Sequence, residues 1–485
     1  MTNPSHSSVS FIAADEPPSG CRTPQRQPRV NRNVLFCAVL WICILRPFPN
    51  VLVGSAFGIA RVLDLLTVAI AVFFLAGRFS LEGKVSYPRG IGLPAVVFLV
   101  LSTSLPLAYW NSVVVHGEPT GIRDVFELTR FPIMLVMILF LAQVRVDSTN
   151  LRQVVRKAFI TPYWIVVLLC LADIVTIPVL SEAKRVLWEQ SKNSIDFSYD
   201  RFRISGTLEN PNWFSLYLNM MLALFLFFEK RTLVSLAGAV TCVGLIAMTG
   251  SRTGMIGMLL TTLVYSLMSF LKVARQPLRG SMRLAVVAGL IVAGVYLIGS
   301  VGNLRIIQSI ALIRAKGILG VESANIRASQ VRSLVGKYAD EPRLLGFGPS
   351  KYSVADVIDN QYAEYLVRYG IVGLSLMVLI HFYYGSAALL LWRRCREQPV
   401  RDYSLFVCML AVLMLVYFAT GQFGDILRLS LIYLGFIMPV FSLGQDWGRI
   451  RRQFHAPGVL PPVPCAGQQS IPAGEGDMPL DAVRR

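Results

Sequence analysis

Charge is scarce in this chain. Asp, Glu, Lys and Arg supply 15% of its 485 residues and hydrophobic residues 54%, against roughly a quarter charged in an average soluble domain. Too little polar material remains to cover a water-exposed surface, which excludes a soluble or fibrous protein. Histidine is scarcer still, with four residues: His6 and His455 in polar tails, His381 in an apolar run and His116 in a connection. No CxxC pair or His/Cys cluster is present to suggest a metal. The cysteines at 21, 37, 43, 170, 242, 395, 408 and 465 all fall in apolar runs, tails or connections of one side. No disulfide framework is expected on the other side. Acidic residues are outnumbered 28 to 46 by Lys and Arg, giving a net charge of +18. Nucleic-acid binding would use such a surplus only if it were gathered into a footprint.

What fills the chain instead is apolar runs, each near the length that crosses a ~30 Å hydrocarbon layer. They lie at about 33–52, 61–77, 91–110, 130–144, 158–180, 212–229, 232–249, 253–271, 284–302, 366–392, 404–420 and 427–444. Mean hydropathy is +0.57. The expected fold is an all-α polytopic membrane protein with about 12 transmembrane helices and a large structured outer loop. Threading from a cytoplasmic N-terminus puts Arg78, Lys84 and Arg89, then Arg145, Arg152, Arg156 and Lys157, on the inner side. Lys230 and Arg231, Lys272 to Arg283, and Arg393 to Arg401 follow on the same side. Every inner connection is basic, so the charge records orientation and lipid attraction, not nucleic-acid contact. The expected layout is a disordered cytoplasmic tail at 1–32, helices one to nine over 33–302, a periplasmic loop at 303–365, helices ten to twelve over 366–444, and a second cytoplasmic tail at 445–485.

The unusual polar residues gather on the outer side. Asn210 followed by Pro211 forms an N-cap and first-turn pair, with Arg203 and Asn212 beside it. In TGSRTG, 249–254, Ser251 is a candidate cap, and Arg252 is either an interfacial anchor or an anion ligand. From Ser323 an amphipathic helix is expected, with Val331, Leu334, Val335 and Tyr338 on its apolar stripe. Arg327 shares that stripe as a snorkelling residue or as a guanidinium aimed at an anion; Arg332 is a further candidate. Gly346 and Gly348 form a tight turn. In DNQYAEYLVRYGIVG, 359–373, Asp359 or Asn360 caps the tenth span, and Gly370 and Gly373 read as close-packing small residues. Tyr362, Tyr365, Trp213 and Tyr352 suit an interfacial aromatic belt, or sugar stacking. Spans six, eight, ten and twelve start on this side, so each brings a helix N-terminus of roughly half a positive charge. Such ends plus Arg203, Arg252 and Arg327 make an anion site at membrane depth.

The order NPN at a span start, TGSRTG at the next outer turn, an Arg-bearing loop helix, GxG, and DNxYxxxLxxxGxxG entering a span resembles the O-antigen polymerase/O-antigen ligase superfamily over roughly 200–375. The resemblance implies a GT-C-like glycosyltransferase of the bacterial inner membrane, active on its periplasmic side. It implies an undecaprenyl-pyrophosphate-linked glycan donor, a glycan acceptor, the bilayer and a chain-length regulator protein as partners, and no cofactor. The implied catalytic residues are Arg252 and Arg327 on the pyrophosphate; Asp359, by its own chemistry, is a candidate general base for the acceptor hydroxyl or equally a helix cap. Arg203, Asn210, Asn212, Ser251, Arg332, Asn360 and Tyr362 are the substrate-binding candidates. Ligases carry His where this chain has Asp359, which favours a polymerase over a ligase. A transporter is the rival class, resting on Asp64, Asp173, and Asp425 with Arg428.

Overall fold

The computed structural model describes residues 32–45, 59–83, 85, 87–119, 121–175, 179, 204–208, 210–273, 289, 322–349, 360–421 and 427–455. Among these residues there are helices and turns and no strand. In chain order the helices are α1 (Arg32–Leu45), α2 (Ile59–Glu82), α3 (Gly92–Trp110), α4 (Ile122–Glu127), α5 (Arg130–Leu141), α6 (Leu151–Val155) and α7 (Thr161–Ile174). They continue as α8 (Pro211–Phe227), α9 (Thr232–Thr249), α10 (Arg252–Val273), α11 (Glu322–Asp340), α12 (Gln361–Arg394), α13 (Gln398–Phe418) and α14 (Leu427–His455). A π-helical turn at Asn111–Val115 prolongs α3, and another at Arg156–Ile160 joins α6 to α7.

Eleven of the twelve apolar runs carry helix; the ninth, 284–302, lies outside the described residues but for 289. Among the described residues six helical stretches are long and apolar enough to cross a membrane: Gly92–Val115, Leu151–Ala172, Thr232–Thr249, Gln361–Arg394, Gln398–Phe418 and Leu427–Gly444. The described residues are thus all-helical in their regular structure and compatible with a membrane protein. Its outer faces are apolar: Leu107, Leu233 and Leu263 are exposed, a surface suited to hydrocarbon and not to water. In such surroundings helices associate through close packing. A Cβ on Gly238 would meet the Phe225 ring, and one on Gly435 would meet Leu40.

Two segment boundaries and the role of one glycine differ from the sequence expectation. The tenth run begins its helix at Gln361, inside the segment assigned to the large loop, because Asn360 caps it there. The last helix runs beyond 444 to His455, into the segment expected to be a disordered tail. Gly370 is not simply a small packing residue: at φ 66°, ψ −171° it breaks α12 into two helices. Gly373 does act by size, since a Cβ there would collide with Tyr369.

Long-range contacts sort into two sets at opposite ends of the bundle. At one end, Arg145 meets Asn33, Val146 meets Ser442, Arg156 pairs with Glu229 and Lys230 with Asp402. At the other, Ser112 meets Phe347, Thr207 meets Ile44, Ile204 meets Met248 and Asn360 meets Ala419. The first set joins segments the basic-residue pattern assigns to one side, and the second joins those assigned to the other.

Candidate functional site

The second end is where the polar motifs meet. Asn210 is the N-cap of α8: its side chain accepts from the Asn212 N–H at 2.8 Å, and Pro211 fills the first helical position. Ser251 does the same for α10, its Oγ accepting from the Gly254 N–H at 3.1 Å. The two starts touch. Ser215 Oγ donates to Ser251 Oγ at 3.1 Å, and a Cβ on Gly254 would stand 2.6 Å from Ser215 Cβ. Glycine at 254 is therefore what lets the two backbones approach.

Both ends are tied to the last turn of α13. Asn219 Nδ2 donates to the Gly254 carbonyl at 2.9 Å and to Tyr417 Oη at 2.8 Å. Two residues further on, Ala419 receives Asn360 Nδ2 at 3.0 Å, while Asn360 Oδ1 caps α12 by accepting from the Ala363 N–H at 3.0 Å. Tyr362 donates its phenol to the Leu415 carbonyl at 2.7 Å. Three helix N-termini thus surround one helix end, each with backbone N–H groups lacking intrahelical partners. Arg252 opens α10 and is half-buried.

The large loop is braced against this cluster. Leu334 of α11 packs with Phe347, Ala363 and Val367, supported by Val331 and Tyr338. Val335 was expected on this stripe but is 41% exposed, because the packed set follows the 331, 334, 338 spacing. The break at Gly370 frees the carbonyls of Val367 and Arg368 from the helix, and the N–H groups of Phe347 and Gly348 take them at 2.8 and 2.9 Å. Turn and break require each other: a Cβ on Gly346 would strike Gly370, and one on Gly370 the Leu344 carbonyl. Arg343 completes the brace. It pairs with Glu341 at 2.6 Å and Glu118 at 3.2 Å, donates to Ser112 Oγ at 3.0 Å and lies 4.3 Å from the Phe347 ring centroid. The hydrogen bond from Arg343 holds the Glu341 carboxyl below its ordinary value.

The sequence-derived candidates separate into groups. Asn210, Asn212, Ser251, Arg252, Asn360 and Tyr362 come together through these contacts. Arg332 is exposed on α11. Arg203, Asp359, Tyr352 and the side chain of Arg327 lie outside the described residues, as do Asp425 and the side chains of Asp64 and Asp173. Tyr365 is 6% exposed and edge-on to Tyr369 and Phe131, an interior residue and not part of an aromatic belt. Trp213 is partly buried against the same core. Arg428 is buried and donates to the carbonyls of Cys43 and Thr207, closing the last turn of α1 onto the 204–208 segment. That clamp accounts for Arg428 without a transport role.

Residues that sequence reasoning passed over also stand here. Ser215, Asn219 and Tyr417 form the network between the helix starts. Gln361, Glu364 and Arg368, all buried, form a hydrogen-bonded set within the first part of α12. Their i, i+3 and i+7 positions put them on one face, the signal that would have revealed them. No His/Cys/Asp/Glu group able to hold a metal occurs among the described residues. Comparison with protein-family models and with curated proteins finds no match to this chain.

Proposed function

We propose that this chain is a polysaccharide polymerase, a membrane glycosyltransferase that takes repeat units from an undecaprenyl-pyrophosphate-linked glycan donor. In this reading it sits in a bacterial inner membrane as a twelve-span, GT-C-like protein with both termini cytoplasmic, and works at the periplasmic end of the bundle. The observation that carries the reading is the convergence of the α8, α10 and α12 starts on the end of α13, with Arg252 at one of them. Helix N-termini and a guanidinium bind a pyrophosphate at membrane depth.

The chemistry is a displacement at the anomeric carbon. The acceptor hydroxyl attacks, its proton passes to Asp359, and the bond between the anomeric carbon and the pyrophosphate oxygen breaks. Arg252 and Arg327 stabilise the charge that gathers on the departing pyrophosphate. Arg203 and Arg332 extend the positive field, and Asn212 flanks the first helix start. Asn210, Ser251, Asn360 and Tyr362 serve by holding the helix starts in place, since their polar atoms are engaged there.

A deletion strain tests the reading. It is expected to accumulate lipid carrier or lipid core bearing one repeat unit, with longer chains absent, and Arg252→Lys and Arg327→Lys are expected not to restore them at normal protein level. Lysine keeps the charge but loses the planar fork that grips two phosphate oxygens. Core lacking all polymer would identify a ligase instead, and untranslocated precursor a transporter.

A further inference from the structure

A cavity lies inside the bundle and borders the cluster of helix starts at Phe418, which stands edge-on to Tyr362. It is walled by α3, α5, α12, α13 and α14, is partly open, and has a volume of about 60 Å³, room for a hydroxyl and the few carbons next to it but not for a whole chain. Most of the wall is apolar, with Phe98, Leu101, Met134 and Ile380 among its side chains. Polar side chains interrupt it at Arg130, Tyr365, His381, Tyr384, Ser430 and Tyr433, and three of these matter most. The phenols of Tyr384 and Tyr433, 2% and 3% exposed, have no hydrogen-bond partner among the described residues. His381 lies beside them, its ring stacked on Tyr433 at 5.5 Å.

The histidine's tautomer follows from its neighbour. Nδ1 stands 2.7 Å from the Met377 carbonyl, which only accepts, so Nδ1 carries the hydrogen and Nε2 of the neutral ring is an acceptor. Beside Arg130, Tyr365 and Ser430, the cavity therefore offers one acceptor and two phenols that donate or accept, set in a mostly apolar wall. Buried polar atoms left without partners are costly, and a site of this kind is completed by a ligand that supplies them. Among the described residues no carboxylate lines the space. The one lining cation among the described residues, Arg130, is paired with Glu127 at 2.6 Å and bonds Tyr369 Oη at 2.7 Å. A charged head group at His381 would stand uncompensated.

We propose that this cavity binds the end of a neutral lipid, an apolar chain ending in a single hydroxyl, which donates to His381 Nε2 and accepts from Tyr384 and Tyr433. The hydroxyl is matched by these three groups and the few carbons next to it by the apolar wall. The exposed apolar side chains on the surrounding helices place the cavity in a molecule built to meet lipid. The proposal stands apart from glycan transfer, since neither sugar nor phosphate enters it.

The test uses the full-length protein in lipid nanodiscs and photoreactive long-chain probes of equal length: an alcohol, an alkane and a fatty acid. The alcohol is expected to label peptides of α12 or α14 about three- to tenfold more than the alkane, the value of one or two hydrogen bonds. Tyr384→Phe and Tyr433→Phe, which keep shape, are each expected to remove most of that preference, and Ile380→Phe to block labelling by filling the space. Unlabelled polyprenol and saturated alcohol compete against the probe, and the better competitor identifies an isoprenoid or an acyl source. Equal labelling by alcohol and alkane, untouched by the Tyr→Phe changes, would overturn the proposal and leave the cavity a packing space. Strongest labelling by the fatty acid would overturn it in favour of an anionic lipid at Arg130. If Ile380→Phe fails to fold, the isosteric Tyr variants still decide.

Discussion

Asn360 shows how one side chain narrows the role of its neighbour. Either Asp359 or Asn360 suits an N-cap by type, and the structure gives the cap to Asn360, whose Oδ1 takes the Ala363 N–H while Nδ2 holds Ala419. Asn360→Ala is therefore expected to cost about 1 kcal/mol from the cap alone, seen as a lower melting temperature of the purified protein. Asp359→Asn, which leaves that cap in place, is expected to melt like the parent. If Asp359 is the general base, the same variant loses chain growth by about 10²–10⁴-fold; growth at the parental rate would remove it from the mechanism. A second residue-scale test concerns Glu229. Burial raises its carboxyl, but hydrogen bonds from Arg156 and from the N–H groups of Arg231 and Lys230 outweigh this and leave it below its ordinary value of 4.5. A lowered carboxylate stabilises the fold above its unfolded value and loses that contribution as pH falls through the folded one. Melting temperature is thus expected to drop as pH is taken below about 4.5, and the Glu229→Gln variant to show a weaker drop over the same window.

At the scale of elements, the break in α12 governs how the large loop sits. An unbroken helix would use the carbonyls of Val367 and Arg368 internally, and the Phe347–Gly348 turn would lose its anchor. Gly370→Ala is expected to destabilise the protein by about 1–3 kcal/mol from the positive φ alone, with a further cost from the contact on the Leu344 carbonyl. Limited proteolysis within 341–349 is expected to accelerate in that variant, because the turn is released. Unchanged melting and cleavage would mean that α12 straightens without consequence. Arg343 acts on the same joint from the other side, bridging Glu118 and Ser112 to Glu341.

For the whole molecule, the division of contacts into two ends makes a prediction about sidedness. Segments around 118 and 340 meet at one end and those around 230 and 402 at the other. Reporter fusions near 340 and 195 are expected to read periplasmic, and fusions near 278 and 397 cytoplasmic. A cytoplasmic reading at 340 would put the cluster of helix starts away from the donor and sink the polymerase proposal.

Much of this arrangement is written locally. Apolar length determines where helices run, basic connections suggest their alternation, and Asn-Pro, Ser and Asn before apolar runs mark the starts at 210, 251 and 360, because capping needs only residues within one turn. Other features are set by partners far along the chain. Tyr365 reads as a belt residue by type and is interior because Phe131 and Tyr369 surround it. Arg428 reads as an intramembrane charge and is a clamp because the carbonyls of Cys43 and Thr207, some hundreds of residues earlier, end beside it. Gly370 reads as a packing residue and is a break because the loop carrying Phe347 and Gly348 offers its carbonyls a second set of donors. Nothing local separates these outcomes, since a glycine, a tyrosine or an arginine takes its role from the unsatisfied groups and spaces that tertiary packing brings to it.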